Sequence, residues 1–277
     1  MTPGVAALAL LLFWVTCGVL RASSFQDDFV VVFIDASSEA KHGPFPLDRS
    51  ILARGIRKAH DLHARGVVLK FFMDLPRVAA GDRLFAQSLT NLPVLLQASV
   101  DGGEAHPNPL PERCFLSGMK ARTAVAGRNG LIPLPMFATN ALDIGFVNFS
   151  ATEVPLLETY QERTVKSLFI CAIELATGKR AVIEPGSRIT FGSLQLPMDA
   201  RNCIQTKLPP KDELSYVPFE KLLAGEIPEK QIHGKVVILG YDGPQIHSFP
   251  TSIGQIRAHR LFVHALQNVY GQLETVP

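Results

Sequence analysis

The hydrophobic positions of this chain form short continuous runs that alternate with stretches of helical periodicity. Runs rich in β-branched and aromatic residues are typical of strands buried on both faces of a sheet. Four of them occupy residues 29–34, 67–73, 93–98 and 235–240. After Asp48, a favourable N-cap, Leu52, Ile56 and Ala59 recur at helical spacing. This alternation predicts parallel strands joined by right-handed helical crossovers.

The middle of the chain predicts further elements. Residues 144–149 and 154–160 are expected to form two neighbouring strands, and residues 182–196 short strands around Gly186 and Gly192. Helices are expected near residue 81 and over residues 163–177, 218–224 and 258–270. We therefore predict an α/β fold with a mainly parallel central sheet flanked by helices and with a β-rich insertion.

The first 24 residues have a different character from the rest. From Val5 to Leu20 the chain is almost entirely apolar, so we predict a signal peptide or N-terminal membrane anchor over residues 1–24. No later apolar stretch is long enough to cross a bilayer. The remainder of the chain, residues 25–277, is expected outside the cytoplasm, in the periplasm or at the cell surface. It would be secreted, or attached to the membrane only through the N-terminal segment.

Composition narrows the classes of partner. The chain has 277 residues, of which 47% are hydrophobic and 19% charged, and its formal net charge is +2. Because no run of Lys and Arg is present, we expect no nucleic-acid partner. The four cysteines lack CxxC spacing, which favours buried thiols over a metal site.

The motifs of several enzyme classes are absent from the sequence. There is no G-x-S-x-G elbow, no P-loop, no G-x-G-x-x-G after the first strand and no H-E-x-x-H. His60 and His63 can share a helix face, but a packed or solvated histidine is the simpler interpretation. We expect no catalytic residues, no metal and no cofactor. The alternative is a secreted α/β hydrolase-like enzyme without a familiar motif.

Carboxylates follow three of the predicted strands. Asp35, Asp74 and Asp242 stand where ligands bind in open α/β sheets. Each could instead cap its own turn through backbone N–H groups. Their mutual distances do not follow from the sequence, so acid–base catalysis by a pair of them is not predicted.

A ligand site is predicted over the carboxyl ends of the first and last core strands. Loops there carry the polar groups that buried strands exclude. The predicted ligand-binding residues are Asp35, Ser37, Asp242 and Gly243. Such an acceptor-rich group favours a cationic or hydroxylated small molecule, unless Arg49 or Arg257 reaches into the site.

Four segments together resemble one family of sensory domains. They read FVVVFIDASSEAKHGPFPLDRSILARGI, LQLPMDARNCIQTKL, FEKLLAGEIPEKQIHGKVVILGYDGP and IRAHRLFVHALQNVY. Over residues 29–270 the chain is similar to the second class of CHASE domains, the extracellular sensory modules of cyclases and histidine kinases. Two positions depart from the family pattern: Lys70 replaces the usual Asp of the second strand, and Ala258-His259-Arg260 replaces His-Ala-Asn in the final helix.

The resemblance implies a sensory function. It predicts a non-enzymatic module that binds an unidentified small molecule and acts through a separate membrane-bound partner, a kinase or a cyclase. We expect a standalone module, without the membrane helices and effector that usually follow this domain. A structural accessory protein that binds another envelope protein is a third hypothesis.

Overall fold

Hydrophobic strands form the middle layer of the fold. A computed structural model describes residues 24–101 and 107–276. The predicted leader, apart from Ser24, lies outside the described residues. The described helices are each too short or too polar to span a bilayer.

The strands are numbered in chain order over the described residues. They are β1 (Phe29–Ile34), β2 (Gly66–Leu69), β3 (Val94–Asp101), β4 (Ala126–Gly127), β5 (Asn129–Leu131), β6 (Asp143–Phe146), β7 (Glu153–Pro155), β8 (Leu157–Tyr160), β9 (Arg163–Lys166), β10 (Val182–Glu184), β11 (Arg188–Phe191), β12 (Leu194–Pro197), β13 (Cys203–Gln205), β14 (Val217–Pro218), β15 (Val236–Tyr241), β16 (Ser248–Thr251), β17 (Gly254–Arg257) and β18 (Glu274–Thr275).

The helices of the same residues are numbered in the same way. They are α1 (Phe25–Asp28), α2 (Ala36–His42), α3 (Arg49–Asp61), α4 (Ala79–Ser88), α5 (Pro135–Ala138), α6 (Leu168–Thr177), α7 (Phe219–Ala224), α8 (Glu229–Ile232) and α9 (Ala258–Gly271).

The central sheet has the strand order β14-β1-β15-β2-β3, with β6 and β5 both paired to β3. All of these pairs are parallel except β3 with β5. The late strand β15 lies between β1 and β2, so the closing part of the chain completes the middle of the sheet. The mixed α/β fold with a mainly parallel sheet is therefore confirmed.

Helices cover both faces of this sheet and create two hydrophobic cores. One core packs α3, α4, α5 and α7 against alternate strand residues such as Val32, Leu69 and Leu239. The other packs α6 and α9 against the opposite side chains, including Val31, Val68 and Ile238. Burial on both faces explains why these strands read as continuous apolar runs.

Several predicted bounds need correction. Residues 29–34 are a strand as predicted, but β2 covers only Gly66–Leu69, and backbone pairing continues no further than Lys70. The predicted helix over residues 163–177 begins only at Leu168, where Ser167 is the N-cap. The residues before it form β9, which pairs with β8 as a hairpin.

The predicted pairing of the strands near residues 144–149 and 154–160 is wrong. Strand β6 pairs with β3, whereas β7 pairs with β13 and β8 with β9. Hydrophobic runs identify strands but do not specify their partners, which depend on packing across the whole domain. The short strands around Gly186 and Gly192 are confirmed as β10, β11 and β12.

Close contact between α6 and β6 depends on Gly145. A Cβ at this position would lie 2.3 Å from Leu168 Cα, too close for two carbon atoms. We predict that Gly145→Ala lowers the free energy of unfolding by about 2–3 kcal/mol, because a helix backbone must move. Urea denaturation measures the loss. Gly271→Ala is the matched control, since nothing lies within 4 Å of its added Cβ. Equal stabilities of the two variants would contradict the prediction.

Candidate ligand-binding site

A cavity of about 380 Å³ lies across the carboxyl edge of the sheet. Its walls come from the loop before α3, the first turns of α3 and α9, and the segments that follow β2 and β15. The lining residues are Phe45, Pro46, Leu47, Arg49, Leu52, Lys70, Phe71, Phe72, Met73, Arg77, Gln97, Ile246, His247, Ala258 and His259. This is the edge at which open α/β sheets bind ligands.

Aromatic side chains give the cavity a rigid apolar wall. The ring of Phe45 stacks on Tyr241 with centroids 4.0 Å apart, and it lies 5.4 Å from the ring of Phe71. The exposed residues Phe72 and His247 leave the cavity open to solvent. An apolar ligand surface would therefore be buried against preformed packing.

Two polar side chains interrupt the apolar lining at the same level of the sheet. Strand register places Gln97 beside Gly145, and continuing the pairing of β2 by one residue places Lys70 between Gly240 and Gln97. The backbone supports this register because Lys70 N–H donates to Leu239 O at 2.9 Å. Lys70 and Gln97 are thus neighbours on adjacent parallel strands.

Lys70 is a buried amine without a counter-ion among the described residues. Only 3% of its surface is exposed, and its Nζ lies 4.0 Å from the centre of the Phe262 ring. The side-chain amine makes no hydrogen bond or ion pair within the described parts of the chain. Burial lowers the pKa of this amine to about 7. Perturbed amines of this kind are characteristic of functional sites.

Gln97 and His259 present the other polar atoms of this wall. Gln97 is 2% exposed, and its Oε1 has no hydrogen-bond partner among the described residues. His259 Nδ1 accepts the Tyr241 N–H at 2.8 Å, which assigns the proton of the neutral ring to Nε2. Burial, followed by the charge of Lys70, holds the pKa of His259 well below its usual value. The ring is therefore a neutral donor.

Arg49, by contrast, is already satisfied. Its guanidinium donates to Asp82 Oδ1 at 2.7 Å and to Leu75 O at 2.6 Å, and it lies over the ring of Phe137. These contacts fix the segment after β2 against α4. Arg77 donates to Pro46 O at 3.0 Å and is otherwise exposed. Arg49 lines the cavity, but its charge is already paired.

The predicted site residues Asp35 and Ser37 lie beside the cavity rather than in its wall. Asp35 is the N-cap of α2 and accepts both the backbone N–H of Ser37 at 3.0 Å and its hydroxyl at 2.6 Å. The structure therefore brings these two residues together as a local cap. Ligand contact by them stays a prediction.

Asp242 and Gly243 follow β15 at the same edge. Asp242 accepts from Arg257 at 2.8 Å and from Arg260 at 2.9 Å. Arg260 also binds Asp212, which extends the network to the loop before β14. Gly243 packs against the Tyr241 hydroxyl so closely that a Cβ would clash. Ligand contact by this pair is likewise a prediction.

The cavity lies at the sheet edge where the sequence predicted a ligand site, but its polar lining residues Lys70, Gln97 and His259 were not predicted. The signal for Lys70 was present: a lysine interrupts an apolar strand at its carboxyl end. No local pattern distinguishes Gln97 or His259, because their importance comes from the pairing of β3 and the docking of α9.

A buried charged cluster at the opposite edge of the sheet contains one candidate set of metal ligands. Asp143, Cys171 and Glu174 offer ligand atoms within 4.8 Å of one another. The ammonium of Lys166, however, lies between the two carboxylates at 2.9 and 2.6 Å, where a cation would bind. Burial also raises the pKa of the Cys171 thiol well above its usual value. The cluster is a structural ion triad.

Comparison with known proteins identifies one family. A family model described as the CHASE2 domain matches residues 8–275. Searches of curated proteins and of solved structures found no match.

The burial of Lys70 predicts an unusual pH dependence of stability. The folded state prefers the neutral amine. Burial of Lys70 therefore destabilises the protein most below about pH 7, and this destabilisation decreases as the pH rises towards the pKa of the amine in the unfolded state. We predict that Lys70→Met stabilises the protein by about 2–4 kcal/mol near pH 7. The difference from wild type should shrink by about 2–3 kcal/mol near pH 9. Urea denaturation at both pH values measures it, and a pH-independent difference would contradict the prediction.

The ion pairs of Asp242 predict a structural contribution from this carboxylate. We expect Asp242→Asn to lower the free energy of unfolding by about 2 kcal/mol, because two charged hydrogen bonds are weakened. Asp35→Asn is the control, since Asn caps a helix as well as Asp does. Thermal denaturation compares the two. A small-molecule response that is lost in both stable variants would establish the predicted ligand contact, whereas retained binding would leave only the structural roles.

Proposed function

The chain belongs to the CHASE2 domain family, a family of sensory extracellular domains, and we propose that it is a non-enzymatic module that senses a small molecule. The observation that carries this proposal is the cavity at the carboxyl edge of the sheet. It combines a preformed apolar wall with a few unpaired polar groups, the combination typical of small-molecule sites.

The location of the cavity supports a sensory mechanism. Ala258 and His259, the first residues of α9, line it directly. Helix α9 runs from there to the opposite edge, where Tyr270 donates to Asp28 at 2.6 Å and packs edge-on against Phe29. A ligand that shifts the first turn of α9 would therefore change contacts beside the amino-terminal elements of the domain.

The remaining assignments follow from the family and the leader. We propose that the domain lies outside the cytoplasm and reaches the membrane only through the predicted segment 1–24. Its signal would pass to a separate membrane-bound kinase or cyclase. The small sheets of residues 153–205 are proposed as the β-rich insertion, since their side chains pack on the core around α6.

A hydrolase-like activity is the competing proposal. The cavity-lining residues include two histidines, His247 and His259, but no Ser, Thr, Cys or carboxylate side chain. Nucleophilic catalysis requires a hydroxyl, thiol or carboxylate within reach of a base. The chemistry of the lining thus favours binding over hydrolysis.

A cavity-filled variant tests the sensory proposal. Ala258→Phe places a ring in the cavity, while Met136→Phe enlarges an exposed side chain that is not part of the cavity lining. We expect compounds from a metabolite library to raise the melting temperature of wild type and Met136→Phe, because native-state binding is stabilising. They should not raise that of Ala258→Phe.

The same compounds are tested for turnover. A panel of ester, amide and phosphate substrates should remain intact with wild-type protein. Stabilising compounds that act equally on Ala258→Phe would refute the cavity as the sensory site. Hydrolysis abolished by the same substitution would instead establish the enzyme.

A further inference from the structure

We propose that the cavity binds a compact carboxylate with an apolar ring and an adjacent hydroxyl or amino group. Its carboxylate would pair with Lys70, its donor with Gln97 Oε1, and its ring with the aromatic wall. This inference rests on the proposed sensory function and gives that function a ligand class.

The size and lining of the cavity define the body of the ligand. A volume of about 380 Å³ lies at the lower end of the range of small-molecule sites, about 300–1,000 Å³. Phe45, Phe71 and Met73 provide flat and adaptable apolar contacts. A single aromatic or branched group suits this space.

The charged side chains around the cavity indicate the sign of the charge on the ligand. No carboxylate side chain lines the cavity, while Lys70, Arg49 and Arg77 do. Arg49 is neutralised by Asp82, so Lys70 is the buried cation that lacks a partner among the described residues. A carboxylate here would form a charge pair in a poorly solvated environment, where such pairs are strong. One ammonium matches one monoanion.

Gln97 adds a second requirement. Its buried Oε1 accepts no hydrogen bond from the described residues, and a buried acceptor without a donor is costly. Adjacent strands are about 4.8 Å apart, so a ligand group that reaches Gln97 lies close to the carboxylate held by Lys70. A hydroxyl or amino group on the neighbouring carbon meets this geometry.

Proton linkage follows from the same arrangement. The bound carboxylate requires the charged form of Lys70, whose pKa in the free protein is lowered to about 7. Of the other ionisable side chains that line the cavity, His259 is neutral, Arg49 is paired with Asp82, Arg77 is a guanidinium, and His247 lies at the exposed rim. The affinity for a carboxylate should therefore fall about tenfold per pH unit above about pH 7.

Four related probes separate the requirements. Phenyllactate carries both groups, hydrocinnamate lacks the hydroxyl, phenylpropanol lacks the charge, and phenethylamine reverses it. Methyl NMR of the wild-type protein reports binding at the cavity through the Met73 methyl group. We expect hydrocinnamate to bind about tenfold more tightly than phenylpropanol or phenethylamine. Phenyllactate should bind severalfold more tightly still.

Two variants assign these preferences to residues. Lys70→Met should lose about tenfold in affinity for both carboxylates and its pH dependence, while phenylpropanol binds unchanged. Gln97→Leu should bind phenyllactate and hydrocinnamate equally. Unchanged binding of phenylpropanol, together with the expected rise in melting temperature of Lys70→Met, shows that the variant is folded.

The outcomes distinguish this inference from the sensory function. Preferred binding of the amine or the alcohol at Met73 would overturn the ligand class and leave the cavity as a sensory site. Carboxylates that leave the Met73 methyl resonance unchanged, or that bind Lys70→Met as tightly as wild type, would also overturn it. The sensory function itself is decided independently by the library comparison with Ala258→Phe.

Discussion

The insertion of β15 between β1 and β2 is the interaction on which the site depends. Six residue pairs join β15 to β1 and four join it to β2, although β15 begins about 207 residues after β1 and about 170 after β2. This pairing brings the loop after β15 and the first turn of α9 to the carboxyl edge. Without it, the segment after β2 would have no opposing wall, and the cavity would not exist.

Glycine makes this long-range closure compatible with helix docking. At Gly240 an added Cβ would lie 2.9 Å from the ring of Phe33 and 3.3 Å from the Cβ of His259. The absence of a side chain allows α9 to approach the sheet closely enough for His259 to accept the Tyr241 N–H. One small residue in β15 thereby fixes both the position and the tautomer of a cavity-lining side chain.

The parts of the fold that depend on local pattern were predictable from the sequence. Phe29–Ile34 and the N-cap at Asp48 are as expected, because burial on both faces and capping leave direct marks in the sequence. The cavity-lining polar residues were not predictable in the same way. Lys70 looked like an interruption of a strand, and Gln97 had no distinguishing neighbour until β2 and β3 were paired. The predicted carboxylates Asp35 and Asp242 lie at the same edge as the cavity, but their hydrogen bonds are made within the protein.

The contact between Tyr270 and the residues around β1 has a mechanical consequence. Phe25 and Phe29 stack with centroids 4.6 Å apart, and Tyr270 closes the cluster with a hydrogen bond to Asp28. Tension applied between α1 and the end of α9 would act on this small aromatic cluster first. It would then separate α9 from the sheet, starting at the carboxyl end of the helix. The hydrogen bonds of the central sheet would bear force only after that cluster had opened. Under tension, the domain would therefore extend first at this aromatic cluster, at the edge opposite the cavity, and only afterwards in the central sheet.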